Sequence, residues 1–91
     1  MLYMVHEKYK TAGAVDVYRR AKENGRMLPD GLNYISSWVD VEFTQCFQLM
    51  ETEDVRLFSQ WIEHWKDLVE FEIIPVRTSA EAMGVIAPKL E

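Results

Sequence analysis

Two consecutive strand-like runs, separated by three residues, most constrain the fold of this chain. The first extends from Leu32 to Val39 and the second from Phe43 to Glu51. Residue character alternates with period two along both runs, which is typical of strands whose two faces have different surroundings. Because the segment Asp40-Val41-Glu42 is too short for a crossover, the two runs predict an antiparallel hairpin.

The residues around this hairpin predict the order β-α-β-β-α-β. Met1 to Tyr9 reads as a first strand, followed by a loop at Lys10-Thr11-Ala12-Gly13 and a helix that stops at Asn24-Gly25. Thr52-Glu53-Asp54 is the expected start of the second helix, because it offers an N-cap and acids at the positive end of the dipole. The buried stripe of that helix is predicted to contain Val55, Phe58, Trp61, Ile62, Trp65, Leu68 and Val69.

Two further elements complete the predicted fold. Phe71 to Val76 is the expected fourth strand, and Pro75 near its end suits the edge of a sheet. Thr78-Ser79-Ala80-Glu81 matches a capping box and predicts a short tail helix that ends before Pro88. With two right-handed crossovers around a central hairpin, the order predicts an α+β, ferredoxin-like βαββαβ sandwich with a short C-terminal helix.

The length and composition predict one soluble globular domain. The 91 residues match a single domain, expected to span 1–89, and Leu90-Glu91 is interpreted as the remnant of an expression tag. A net charge of −5 argues against nucleic acid as a partner, because phosphates repel an acidic surface. No basic leader and no long apolar run is present, so we expect a cytoplasmic protein with no membrane partner.

The helices of such a fold cover one face of the sheet and leave the other open. The open face is expected to carry several of a mixed aromatic and polar set: Tyr34, Ser36, Trp38, Cys46, Gln48 and Met50, with Met4 and His6 if the first strand keeps the matching register. Tyr3 and Val5 compete with Met4 and His6 for the apolar side, so that register stays open. Because an exposed aromatic face usually marks an interface, we predict a two-fold homodimer with its sheets face to face and a cleft between them.

Several segments of the chain resemble one known family. They are Met-Leu-Tyr-Met-Val, Tyr-Ile-Ser-Ser-Trp, Cys-Phe-Gln-Leu-Met-Glu, Trp-x3-Trp-x-Asp-Leu-Val and Phe-Glu-Ile-Ile-Pro-Val-x-Thr-Ser. Together they resemble a small bacterial family of uncharacterised domains, domain of unknown function 3303, from Met1 to about Ala82. That family resembles the dimeric α/β-barrel group, which also holds small monooxygenases, muconolactone isomerases and stress-response proteins. The resemblance implies a dimer but transfers no catalytic residue, since relatives in fold host many functions.

The most suggestive candidate ligand-binding set is Tyr34, Ser36, Trp38 and Gln48. The aromatic rings offer flat walls to a planar ligand, and the serine and glutamine offer hydrogen bonds that orient it. The alternative is that these residues interdigitate with their mates across the two-fold axis, and the sequence leaves both open. Arg26 has two interpretations as well: it attracts an anionic ligand at the cleft mouth, or it pairs with a surface carboxylate.

Two further residues are candidates for chemistry. His6 is a candidate general base because histidine titrates near neutrality, and its alternative is a hydrogen-bonded residue at the dimer interface. Cys46 is a candidate nucleophile only with a lowered pKa, and its alternative is a small buried hydrophobe. The single cysteine and the spacing of the histidines match no metal motif, so neither a metal nor a cofactor is expected.

Three functions are compatible with these sequence features. The first is a homodimeric domain that binds a small planar molecule in the intersheet cleft without catalysis. The alternative is a cofactor-independent oxygenase or isomerase, with His6 as base, Ser36 and Gln48 orienting the substrate, and Trp38 and Tyr34 as walls. The third is a purely structural interface. The chain lacks a phosphate-binding glycine loop and a Ser-His-Asp pattern, which argues against kinases, nucleotide hydrolases and dehydrogenases.

Overall fold

Four strands and three helices follow one another in the order that the sequence predicts. The computed structural model of the chain describes residues 1–11 and 13–91, and Ala12, part of the predicted loop, lies outside the described residues. The elements are β1 (Leu2–Tyr9), α1 (Gly13–Asn24), β2 (Asn33–Val39), β3 (Gln45–Glu51), α2 (Leu57–Glu63), β4 (Val69–Val76) and α3 (Ser79–Ile86), followed by a 3-10 turn (Ala87–Leu90).

The strands form one four-stranded antiparallel sheet. Their spatial order is β2-β3-β1-β4, so the first strand lies in the centre, between β3 and β4. The predicted α+β architecture with a hairpin of β2 and β3 is confirmed. The arrangement is compatible with a ferredoxin-like fold.

The hydrophobic core lies between one face of this sheet and the helices α1 and α2. Its buried members are Val5, Leu32, Met50, Phe58, Trp61 and Trp65, and partly buried side chains of α1 pack against them. Tyr3 and Val5 lie on this covered face, which places Met4 and His6 on the open face. The burial of each large apolar side chain contributes about 1.5–3 kcal/mol, so the core fixes this register.

Helix α2 is shorter than the sequence predicts. The hydroxyl of Thr52 accepts a hydrogen bond from the backbone N–H of Asp54 at 3.0 Å, and the carboxylate of Asp54 accepts one from the N–H of Arg56 at 3.0 Å. These local bonds build turns instead of a helix N-terminus, because short polar side chains compete for backbone groups. The predicted start at Thr52 is therefore wrong, and the helix begins at Leu57.

The two end positions of the predicted apolar stripe, Val55 and Val69, lie outside helix α2. Val55 is half-exposed and precedes the helix, whereas Val69 is fully buried as the first residue of β4. The fourth strand thus begins two residues before the predicted Phe71. Trp61 and Trp65 are buried, as their spacing predicts.

The hairpin connection is longer than Asp40-Val41-Glu42. The Asp40 carboxylate accepts hydrogen bonds from the backbone N–H groups of Thr44 at 2.7 Å and Gln45 at 2.9 Å. Phe43 has a φ of 59°, in the left-handed region that strands do not use. The predicted start of the third strand at Phe43 is therefore wrong, and β3 begins at Gln45.

A β-bulge in β2 separates residues that the sequence places on one face. Tyr34 pairs with Met50, but Ser36 pairs with Leu49, so Ile35 is an extra residue in β2. Tyr34 consequently lies on the covered face, while Ser36 lies on the open face.

The same register corrects the expected surroundings of four residues. Cys46, Gln48 and Met50 are buried on the covered face, and Tyr34 lies exposed at the rim of that face. The expectation that they share the open face with Ser36 and Trp38 is wrong. The physical reason is the core: alternate residues of β3 pack under the helices, and these three belong to that set.

The tail helix α3 has the predicted cap. The hydroxyl of Thr78 accepts a hydrogen bond from the backbone N–H of Glu81 at 3.1 Å, and the Glu81 carboxylate accepts one from the N–H of Thr78 at 3.3 Å. The helix ends at Ile86, before Pro88. Within residues 1–11 and 13–91, none of the helices has the length and apolar character that crossing a membrane requires.

Candidate functional site

A cavity of about 190 Å³ lies between the covered face of the sheet and α1. Its wall combines apolar and aromatic side chains with a set of hydroxyl, thiol, amide and charged groups: Glu7, Tyr9, Tyr18, Arg26, Ser37, Cys46 and Gln48. An apolar cavity of roughly 150 Å³ holds a benzene molecule, so this one has room for a single ring with a substituent. The mixture of apolar walls and a few polar groups is typical of small-molecule sites.

Glu7 is the buried carboxyl of this cavity. Only 5% of the residue is exposed, and Oε2 accepts a hydrogen bond from Nε2 of Gln48. Oε1 has no hydrogen-bond partner among the described residues, yet no buried side-chain oxygen or nitrogen there is left unpaired, so Oε1 borders the open space. Burial raises the pKa of Glu7 to about 7, against the opposing effects of Gln48 and Arg26. The carboxyl therefore changes charge near neutral pH.

Gln48 connects this carboxyl to the mouth of the cavity. Its side chain is buried on β3, where Nε2 donates to Glu7 and Oε1 accepts from Nε of Arg26 at 3.5 Å. The three side chains form a continuous polar path from the buried end to the surface. A neutral amide in the middle serves Glu7 in both of its protonation states.

The backbone of Arg26 is held by two tryptophans. Its carbonyl oxygen accepts hydrogen bonds from the indole N–H groups of Trp61 and Trp65, each at 3.0 Å. The next residue, Met27, has a φ of 60°, which is uncommon for a residue other than glycine. Together these features fix the place where the arginine side chain leaves the loop.

The side chain of Arg26 stacks on an aromatic ring. Its guanidinium carbon lies 3.7 Å from the centre of the Tyr34 ring, a cation–π contact. The Tyr34 hydroxyl lies 2.7 Å from Oγ of Ser37, which itself lines the cavity. The guanidinium is therefore oriented at the cavity mouth.

Cys46 and Tyr9 supply neutral groups to the wall. Burial raises the pKa of the Cys46 thiol to about 11, with a further contribution from the nearby Glu7. Burial also raises the pKa of the Tyr9 hydroxyl. A thiol that stays protonated is a poor nucleophile, so the structure favours the interpretation of Cys46 as a small buried residue.

The structure does not bring His6, Ser36 and Trp38 to the cavity. They lie on the open face of the sheet, where Trp38 is 55% exposed. The His6 ring stacks on Phe47 with ring centres 4.6 Å apart, and its Nε2 lies 2.7 Å from Oε1 of Gln45. The other predicted residues, Tyr34, Cys46, Gln48 and Arg26, do meet at the cavity or its rim.

Four polar residues of the cavity wall are absent from the set that the sequence patterns predict: Glu7, Tyr9, Tyr18 and Ser37. Glu7 follows Tyr3 and Val5 at the same alternating positions of β1, and a charged residue in phase with a core face is the signal that identifies it. Ser37 has no such signal, because its position in phase with Val39 is the one that the alternation predicts and a small uncharged side chain is common there. In the part of the chain that the structure describes, no three histidine, cysteine, aspartate or glutamate side chains are grouped to hold a metal ion.

Comparisons with curated proteins and with solved structures find no match for this chain. A comparison with family models does find one: the family described as Domain of unknown function (DUF3303) matches residues 1–90. The matched range contains every element of the sheet and every residue of the cavity. The chain therefore belongs to the DUF3303 family, as its sequence motifs suggest.

Proposed function

We propose that this chain is a small-molecule-binding domain whose site is the cavity beside α1. The observation that carries the proposal is Oε1 of Glu7, which borders a space of about 190 Å³ inside the fold. Oε1 has no hydrogen-bond partner within the described residues, so it is free to accept a hydrogen bond from a bound molecule. A ligand hydroxyl or N–H group that reaches Oε1 would supply that bond.

The rest of the wall favours a small planar ligand. Trp61 and Trp65 present aromatic surface to the cavity, and Val17, Ala21 and Val39 add apolar surface. Such walls bury a ring, while the polar path from Glu7 to Arg26 sets its orientation. The site thus lies inside one protomer, and the intersheet cleft is no longer needed to hold the ligand.

The open sheet face supports a homodimer as the working form. Trp38 and Ile74 are exposed there, beside the stacked pair of His6 and Phe47. Aromatic and aliphatic side chains grouped on one sheet face are typical of an interface, and a second copy covers them with the same residues. Face-to-face pairing of two such sheets would give the dimeric α/β-barrel arrangement.

Two adjacent serines provide a matched test of the binding site. Ser37 lines the cavity, whereas Ser36 faces the opposite side of the sheet. We would screen single-ring fragments by ligand-observed NMR against the wild type, Ser37→Leu and Ser36→Leu, after checking each fold by circular dichroism. Native mass spectrometry of freshly purified protein would also detect a retained ligand.

We expect fragments to bind the wild type and Ser36→Leu, and not Ser37→Leu, because leucine at position 37 fills the cavity. If only Ser36→Leu loses binding, the fragments bind on the open face and not in the cavity. A screen in which no ring compound binds would reject the binding function.

A second candidate function is proton transfer, in an isomerase or a cofactor-independent oxygenase. The observation that favours it is Glu7, whose pKa of about 7 and free Oε1 suit a general base at neutral pH. Glu7 then takes the role that the sequence suggests for His6, which lies on the other face.

Exchange of a ligand's C–H protons in deuterium oxide tests this second function. We expect Glu7→Gln to abolish exchange while binding persists, and His6→Gln to leave exchange unchanged. Exchange that continues in Glu7→Gln would exclude Glu7 as the base.

A further inference from the structure

The side chain of Arg26 has donors that the protein leaves free. Its Nε donates to Gln48 at 3.5 Å, but its two terminal nitrogens donate no hydrogen bond to an acceptor in the described part of the chain. Arg19, Arg20 and Arg56 behave differently, since each pairs with an aspartate at 2.7–2.9 Å. Among residues 1–11 and 13–91, no carboxylate lies within ion-pair distance of Arg26, so its expected pairing with a surface carboxylate is wrong.

The free donors are also well oriented. Stacking on Tyr34 and the two indole bonds to its carbonyl hold Arg26 at the mouth of the cavity. A stacked guanidinium keeps its N–H edge available, and that edge matches the two oxygens of a carboxylate. The arrangement is therefore organised before a ligand arrives.

The charges on the cavity wall determine which end of a ligand enters. Glu7 lies at the buried end and Arg26 at the exposed end, and they are the charged side chains on the wall. The remaining titratable groups, Tyr9, Tyr18 and Cys46, contribute hydroxyls and a thiol. An anionic group is repelled from the buried end and attracted to the mouth, whereas a hydroxyl can bond to Oε1 of Glu7.

We propose that the ligand class is a hydroxylated aromatic carboxylic acid, with its carboxylate on the Arg26 guanidinium and its hydroxyl on Oε1 of Glu7. This inference rests on the proposed binding function and specifies its ligand. The ring between the two polar groups occupies the apolar space beside Trp61 and Trp65.

Isothermal titration with four probes tests the inference at neutral pH: para-hydroxybenzoate, benzoate, phenol and benzylamine. A charge-assisted pair is worth about 1.5–3 kcal/mol, so para-hydroxybenzoate should bind about tenfold or more tightly than phenol. Arg26→Gln should remove this advantage and leave the Kd of phenol unchanged. Arg26→Lys should keep part of it, because lysine retains the charge but not the fork.

Arg56→Gln is the matched control, because Arg56 is an exposed arginine paired with Asp54 and neither residue is part of the cavity wall. It should leave the Kd of all four probes unchanged. Phenol or benzylamine binding as tightly as the acid, in a way that Ser37→Leu abolishes, would overturn the ligand class while the binding function stands. Absence of para-hydroxybenzoate binding would also overturn it, and the fragment screen then decides the binding function separately.

Discussion

The side-chain amide of Gln48 donates a hydrogen bond to the carboxyl of Glu7 from the neighbouring strand, and both residues are buried under the helices. The two are diagonal neighbours in the sheet, because Gln48 pairs with Val5 and Glu7 pairs with Cys46. A neutral donor satisfies one carboxyl oxygen without neutralising the charge. The charge of Glu7 therefore remains unfavourable inside the fold, and this raises its pKa.

Replacing Glu7 with glutamine should increase the free energy of unfolding at about pH 8 and change it little at about pH 5. The pKa of Glu7 is about 7 in the folded state, against 4.5 as its ordinary value. The folded state thus holds a proton that the unfolded state releases, and stability falls as the pH rises through this window. At about 1.4 kcal/mol for each pKa unit, the loss approaches about 3 kcal/mol above pH 7. Urea unfolding across this range measures it.

Glu42→Gln is the control for that series, because Glu42 is an exposed carboxylate in the hairpin connection. It should shift stability equally at all of these pH values. If Glu7→Gln increases the free energy of unfolding as much at about pH 5 as at about pH 8, the raised pKa of Glu7 does not explain the increase.

Replacing Asp67 with asparagine should lower Tm at neutral pH. The Arg20 guanidinium donates two hydrogen bonds of 2.7 Å to the Asp67 carboxylate, which connects α1 to the turn before β4. These bonds lower the pKa of Asp67 to about 2 from 3.8. Their contribution to stability is present above the ordinary pKa and is lost as the pH falls towards 2. The Tm values of the wild type and Asp67→Asn should therefore converge in strong acid.

Asp16→Asn is a matched control, because Asp16 pairs with Arg19 within α1 at 2.8 Å. It should change Tm less, since that pair joins no separate elements. Circular dichroism during heating measures both Tm values. Equal shifts in the two variants would show that the contact between α1 and the turn before β4 adds no stability.

Replacing Trp65 with phenylalanine should lower the free energy of unfolding by at least about 1 kcal/mol, the typical contribution of one hydrogen bond. The variant loses the indole N–H that donates to the carbonyl of Arg26. Trp38→Phe should stay within about 0.5 kcal/mol when it is measured in the monomeric state, where Trp38 is 55% exposed on the open face. Urea unfolding measures the free energy of unfolding of both variants. Equal losses would show that the hydrogen bond from Trp65 to the Arg26 carbonyl does not contribute to stability.

Replacing Leu49 with aspartate should convert the proposed dimer to a monomer. Leu49 lies on the open face, paired with Met4 on one side and Ser36 on the other. A charge buried between two sheets is strongly unfavourable. Val41→Asp, in the hairpin connection and 94% exposed, should remain dimeric.

Sedimentation velocity at low micromolar concentration distinguishes the two states. Ring fragments should still bind the Leu49→Asp monomer, because the cavity lies within one protomer. A wild-type chain that sediments as a monomer would reject the dimer and leave the cavity proposal intact.

Features that depend on neighbouring residues alone could be predicted from the sequence. The helix stop at Gly25, which has a φ of 69°, and the capping box at Thr78 both occur where local chemistry requires them. The β2–β3 hairpin belongs to the same group, since it depends on a short connection between two alternating runs.

The faces of the sheet could be predicted only in part. The sequence of β2 gives no sign that Ile35 is an extra residue. The bulge exists only in the pairing of β2 with β3. Glu7 and Gln48 are 41 positions apart in sequence, and their contact depends on the pairing of β1 with β3. The residue types therefore predict Tyr34 and Gln48 as candidate ligand-binding residues, but the alternation of the strands places them on the wrong side of the sheet.

The pairing of β2 with β3 makes the length of β2 as important as its composition. A substitution at Ser37 changes the cavity alone, and a substitution at Ser36 changes the open face alone. Deletion of Ser37 would instead move Trp38 into its place opposite Gln48, on the covered face, and exchange side chains between both surfaces at once. Deletion of Ile35 would only remove the bulge, leaving Tyr34 opposite Met50 and Ser36 opposite Leu49. Point mutations can thus adapt ligand preference and self-association independently of each other, whereas insertions and deletions among the paired residues of this strand alter the two together.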